Sequence, residues 1–211
     1  MVPRLNSFLF LFARAVLCIF LCTAVGASAD ESKSIFLVAK SGMSDPNFGA
    51  SVVLVLQHDE GGTLGVIINR PTRLAVSQVF PHRENLKKLD NTVYQGGPVM
   101  RSTLLFVFRA LQQPGSAHQV LDGVYMSADP ELLERLLGRP LPLESLHLFA
   151  GHAGWAPGQL EMEIASGGWY VLDADAATVF DRGSAGLWEE LVNRAMLRPA
   201  STGWVTVFGG N

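Results

Sequence analysis

The residues predict an exported α+β domain. Three observations carry that prediction: short apolar runs cut by glycine and proline turns, a few amphipathic runs with helix caps, and an N-terminus built like a secretion leader. In the leader, Arg4 and Arg14 precede the apolar run Ala15 to Thr23, and Ala27-Ser28-Ala29 puts small residues where a signal peptidase reads. Cleavage between Ala29 and Asp30 is expected, which leaves a signal peptide at 1–29 and one domain at 30–211, periplasmic or secreted. The alternative is an uncleaved anchor. Arg14 counts against it, because it interrupts the roughly 20 apolar residues that a span requires.

Cys18 and Cys22, the two cysteines, both fall inside the leader, so the mature domain holds no disulfide, thiol nucleophile or cysteine metal site. Losing Arg4 and Arg14 takes Lys+Arg from 16 to 14 against an unchanged Asp+Glu of 19, and the net charge from -3 to -5. That balance argues against a nucleic-acid surface, which needs clustered positive charge to displace phosphate counterions. A chain of this length buries roughly 70% of its extended surface and folds without staples.

Ile35 to Ala39 reads as a strand, followed by turns at Ser41-Gly42 and Asp45-Pro46. Ser51 to Gln57 is apolar enough for a strand buried on both faces, and Gly61-Gly62 turns it into Leu64 to Asn69, which Pro71 stops. Residues 75–80 have the spacing of a short helix. Thr92 to Gln95, Leu104 to Arg109 and Val124 to Met126 are further strands, with a solvent loop from Gln112 to Gln119. A helix is expected from Pro130 to Leu137: Ser127 or Asp129 caps it, four leucines form its apolar face and Gly138 ends it.

Leu146 to Ala150 leads into the run GHAGWAPGQLEME, Gly151 to Glu163, whose glycines, proline and tryptophan specify a shaped loop. Leu160 to Ile164 alternates apolar and acidic residues. That predicts a strand with Leu160, Met162 and Ile164 on one face and Glu161 and Glu163 on the other. Trp169 to Leu172 is a strand, Asp173 to Phe180 and Leu187 to Met196 are helices, and Trp204 to Phe208 is a candidate edge strand.

With these pieces in order, the chain resembles the YqgE/AlgH family of bacterial proteins. The matching segments are FLVAKSGMSDPNFGASVVLVLQH (Phe36 to His58), GVIINRP (Gly65 to Pro71), QGGPV (Gln95 to Val99), GHAGWAPGQLEME and Trp169. The resemblance implies a single α+β domain with a mixed, strongly curved, barrel-like β-sheet flanked by short helices, and it assigns no established biochemical activity. It also implies a cytosolic location, whereas this chain begins with a leader. Ala39-Lys40-Ser41 stands where the family carries an Ala-Met-Pro-like segment, and the residues after Met196 differ from the family's ending.

No Gly-x-Ser-x-Gly, Walker-type or dinucleotide glycine pattern is present, so the main signals for hydrolase, nucleotide and dehydrogenase chemistry are missing. Glu161 and Glu163 on one strand face read as a solvent-facing side sooner than as a metal or acid–base pair. His147 and His152, five apart, lack zinc-ligand spacing. Gly96-Gly97-Pro98 reads as a tight turn ahead of an anion nest, and Gly151, Gly154, Pro157, Gly158 and Trp169 are structural motif residues.

Asp45, Asn69, Arg70 and Gln95 sit at strand ends or turns, and with Trp155, Gln159 and Glu161 they form a candidate cleft. Catalytic residues, metal and cofactor are assigned to none. The favoured function is a non-catalytic domain that binds an unidentified protein or small molecule. The alternatives are an enzyme using Glu161, Glu163 or His152 and, through the resemblance, a regulatory protein linked to alginate.

Overall fold

In a computed structural model the described residues are 34–197, apart from 44, 60, 89, 90 and 139–144. The signal peptide, the Ala29–Asp30 cleavage point and the Trp204 to Phe208 strand lie outside them.

Ten strands dominate: β1 (Ile35–Ala39), β2 (Val52–Asp59), β3 (Gly62–Ile67), β4 (Pro71–Ala75), β5 (Thr92–Gln95), β6 (Val99–Arg109), β7 (His118–Leu121), β8 (Val124–Ser127), β9 (Leu146–Trp155) and β10 (Trp169–Asp173). Among the described residues five α-helices connect or flank them, α1 (Val76–Val79), α2 (Pro130–Leu137), α3 (Gln159–Ala165), α4 (Ala176–Phe180) and α5 (Leu187–Leu197), together with a 3-10 helix at Glu84–Lys88. The strand order is β10-β1-β2-β3-β9-β6-β8-β7, with β5 joining β9 and β4 joining β5. Every pairing is antiparallel apart from β5 beside β9, which is parallel.

The sheet curls strongly. β1 and β7 lie near opposite ends of the strand order, yet the Ser34 hydroxyl, just ahead of β1, donates to the Val120 carbonyl in β7. The inside of this curl is an apolar core that includes Phe36, Val38, Leu54, Val66, Val107 and Phe149, closed by Val179 of α4 and Leu191 of α5.

Period-2 alternation sends the intervening residues outward, where they build two further cores. Phe106, Phe108 and Leu148 pack under Leu132, Leu133, Leu136 and Leu137 of α2. Leu37, Val53, Ile67 and Ala153 pack with Phe48, Trp155, Leu160 and Trp169. β1 therefore has both faces covered and no exposed side, as its unbroken apolar sequence requires.

α2 forms as its sequence predicts. The Asp129 carboxylate accepts from the Glu131 N–H, Pro130 opens the first turn and the four leucines are buried. Gly151 to Trp155, expected in a shaped loop, instead extend β9. Three further expectations fail. Pro71 begins β4 where it was expected only to stop a strand, which suits a proline because the first strand residue tolerates a missing donor. β7 starts inside the expected loop, at His118.

The third correction matters most: residues 160–164 are helical. Gln159–Ala165 holds several good helix formers, which tip a run of only five alternating residues toward a helix without deciding it alone. Gly158, with φ 77°, turns the chain into this helix from the end of β9.

Candidate functional site

Helical winding separates the two glutamates. At about 100° per residue, Glu161 and Glu163 stand on different sides of α3, while Leu160, Glu163 and Ile164 share the side that faces the body of the protein. Leu160 is fully buried. The carboxylate pair expected on one strand face does not exist.

Glu163 instead meets two indoles. Its Oε2 accepts the Nε1–H of Trp155 at 3.0 Å and the Nε1–H of Trp169 at 2.9 Å, and its Oε1 accepts from Gln159 Nε2 at 3.0 Å. Gln159 Oε1 in turn accepts the Ala156 N–H at 3.1 Å, which ties α3 to the end of β9. Phe48 completes the group: it stacks on Trp155 with centroids 5.5 Å apart and meets Trp169 edge-on at 5.4 Å. Trp155 lies at the end of β9 and Trp169 at the start of β10, so one carboxylate of α3 ties together the two strands that flank it.

The loop that carries Phe48 is held by the polar residues of the first two motifs. Asp45 Oδ1 accepts the Asn47 N–H at 2.7 Å. Asn69 accepts the Val52 N–H and donates to the Ala50 carbonyl, both at 2.9 Å. Arg70 donates to the carbonyls of Asn47 at 2.5 Å and Gly49 at 2.7 Å, and partial burial lowers its pKa. Asn69 and Arg70 therefore clamp the turn that positions the phenyl ring.

Beside this group lies a cavity of about 530 Å³. Phe48, Trp169, Met43 and Met162 supply apolar wall, and Lys40, Asp45, Gln159 and Glu163 supply polar groups. The Lys40 ammonium stands 4.9 Å from the Tyr170 ring centroid, at the edge of the same region. Of the seven cleft residues expected from sequence, Asp45 and Gln159 line this cavity and Trp155 reaches it through Glu163. Asn69 and Arg70 support it from behind. Gln95 joins only by its backbone, whose N–H donates to the Arg70 carbonyl at 2.9 Å, and Glu161 is absent from the wall.

Phe48, Met43, Lys40 and Glu163 were not picked out for the cleft from sequence. A helical period over 159–165 would have found Glu163, which stands four residues after Gln159 and three after Leu160.

The glycine motifs do a different job. Gly96 and Gly97 cross β9 at Gly151 so closely that a Cβ on Gly96 would lie 2.2 Å from the Gly151 carbonyl oxygen. The Gly96 N–H is donated to the Ala150 carbonyl at 3.0 Å, so it is not directed at an anion. This crossing brings QGGPV and GHAGW together as backbone against backbone.

Neither histidine joins the cavity wall. His147 is buried against Tyr94, at 5.0 Å, and Phe180, at 5.2 Å, with no partner for its Nδ1. Burial, aided by the charge of Arg109, pushes its pKa down to about 4. His152 is half-buried, and burial lowers its pKa as well. Among the described residues no cluster of three or more histidine, cysteine or acidic groups could hold a metal, and no helix is long and apolar enough to cross a membrane.

A family model described as AlgH-like matches residues 36–200, which takes in the whole motif series from β1 through α5. The chain belongs to the AlgH-like family. A relative, the UPF0301 protein of Streptomyces avermitilis, is 40% identical over 170 residues, covering 75% of this chain and 83% of that one. A UPF0301 protein of Magnetococcus marinus is 36% identical over 172 residues, with 78% and 89% covered.

Among solved AlgH-like folds, the solution structure of the AlgH protein from Pseudomonas aeruginosa aligns with a TM-score of 0.65 at 27% identity, over 85% of this chain and 95% of that one. The crystal structure of a protein from Corynebacterium diphtheriae aligns at 0.61 and 28%, over 83% and 91%. The curled sheet with its few short helices is thus the AlgH-like fold.

Proposed function

We propose that this AlgH-like protein is an exported, non-catalytic binding domain whose ligand enters the cavity beside Trp169. One observation carries the reading: Glu163, the carboxylate best placed to act on a ligand, is held by two indoles and an amide in a fixed direction. A group holding three donors is suited to shaping a wall and poorly suited to relaying protons. The cavity has the size and mixed apolar and polar lining of a small-ligand site. Met43 and Met162 add adaptable walls, since unbranched thioethers repack around varied shapes. The matching ligand is a small molecule or peptide end with an apolar body and a charged group within reach of Lys40 or Asp45.

Thermal unfolding with a panel of amino acids, dipeptides and simple amines tests this, because a ligand that binds only the folded state raises the midpoint. Tryptophan emission should change with the same compounds. Met162→Arg, placed at the exposed rim of the cavity, should abolish both responses while the protein stays folded. Chemical turnover of any panel member, or responses unaffected by Met162→Arg, would reject the reading. Export is tested separately by N-terminal sequencing of protein from the periplasm: Asp30 at the start supports it and Met1 in the cytosol defeats it.

A further inference from the structure

We propose that the ligand of the Trp169 cavity carries a phenol-type ring that takes the place of the Phe48 ring and hydrogen-bonds the Ser51 hydroxyl behind it. This rests on the binding reading above and adds the chemical class of the ligand. Ser51 is fully buried, and its Oγ has no hydrogen-bond partner among the described residues. A hydroxyl buried in this way gives up its bonds to water and gains none in return, so its presence calls for a use.

The strand register places that hydroxyl. Leu37 pairs with Val53, and one further step along the antiparallel ladder sets Ser51 opposite Ala39, whose N–H donates to the Ser51 carbonyl at 3.0 Å. Ala39 in turn pairs with Trp169. Side chains two apart on a strand share a face, so Ser51 points with Val53 into the core that also holds Ala39, Phe48, Trp155 and Trp169. Phe48 and Trp169 line the cavity, whereas Ser51 and Ala39 are not in its wall. The hydroxyl therefore lies behind the aromatic group.

The Phe48 ring sets the shape of what can replace it. It stacks on Trp155 at 5.5 Å with ring planes 19° apart and meets Trp169 edge-on at 5.4 Å, so its position against the two indoles suits a flat six-membered ring. Asn69 and Arg70 hold only the backbone of the turn, and the ring can swing about its own side-chain bonds without breaking those contacts. An incoming ring restores both aromatic contacts. Phe48 fills the slot but cannot satisfy Ser51, while a phenol does both and leaves its outward substituent near Asp45 and Lys40 in the cavity wall.

Titration calorimetry of the purified protein with tyramine, its meta-hydroxy isomer and phenethylamine isolates the hydroxyl, because the three amines differ only there. One of the hydroxylated amines should bind about tenfold or more tightly than phenethylamine, since a site that pairs a ligand hydroxyl rejects the analogue without it. In Ser51→Ala the three should bind alike, and the melting midpoint without ligand should not fall, because the hydroxyl removed was unpaired. Phe48→Ala, with the slot already open, should bind the favoured amine more tightly than the parent protein. Tyrosylglycine and phenylalanylglycine, run alongside, tell a peptide end from a free amine as the source of the ring. Equal affinities in the parent protein, a preference that survives Ser51→Ala, or weaker binding by Phe48→Ala would overturn the inference and leave the cavity reading intact; the Ser51→Ala comparison decides alone if Phe48→Ala does not fold. Absence of binding by every one of these compounds also overturns it, and the cavity reading falls with it only if the wider panel fails too.

Discussion

Trp155 and Trp169 donate to the same oxygen of Glu163, and their rings meet nearly perpendicular with centroids 6.1 Å apart. Removing that oxygen leaves the indole N–H groups of two buried tryptophans without an acceptor. Glu163→Leu is expected to destabilise the protein by about 3 kcal/mol and Glu163→Gln by about 1 kcal/mol, since the amide keeps one acceptor and the unpaired donors are the main cost. Urea unfolding followed by tryptophan emission measures both. Equal stability of Glu163→Leu and the parent protein contradicts the bridge.

Arg70 and Asn69 fix the turn that holds Phe48 against Trp155. Arg70→Met removes charged hydrogen bonds to two carbonyls and is expected to cost about 2 kcal/mol. It should also red-shift tryptophan emission, because the phenyl ring no longer seals the indole from water. A stability loss without a spectral change would mean that the clamp does not control Phe48.

The crossing of Gly96 over Gly151 tolerates no side chain. In Gly151→Ala the new Cβ would lie 2.6 Å from the Val99 carbonyl oxygen, at a backbone φ of 72°. Backbone strain and steric overlap add, so a loss above about 3 kcal/mol, or failure to fold, is expected. Gly183→Ala, which meets nothing within 4 Å, serves as control and should change stability by less than about 0.5 kcal/mol. Soluble expression and melting temperature of both variants decide the matter.

His147 makes stability depend on pH. The imidazole titrates at about 4 in the folded chain and near 6.5 when exposed, so the unfolded state takes up the proton first as pH falls. The contribution is complete above pH 6.5, declines toward pH 4 and amounts to on the order of 3 kcal/mol. Asp175 and Asp181, with pKa values lowered from 3.8, lose their contributions only at still lower pH. Urea unfolding from pH 4 to 8 should show the first decline, and His147→Phe should flatten it. A parent profile that is flat over this window refutes the buried neutral imidazole.

The sequence by itself determined most of the strands, though not β4 or β7. β1, β2 and the Leu104–Arg109 part of β6 carry apolar residues for both of their faces, because local composition and period are enough to settle those features, whereas the crossing of Gly96 and Gly97 over Gly151 was read only as a turn and a loop. α2 was legible for the same reason, with its cap, proline and leucines all inside one short window. What only the tertiary structure decided was the use of Glu163. The run from Leu160 to Ile164 satisfies an alternating and a helical period almost equally, and local preference alone separates them weakly. The choice fell to tertiary contacts: a helix buries Leu160 in the core it shares with Leu37, Val53 and Ile67, far away along the chain, and brings Glu163 to Trp155 and Trp169.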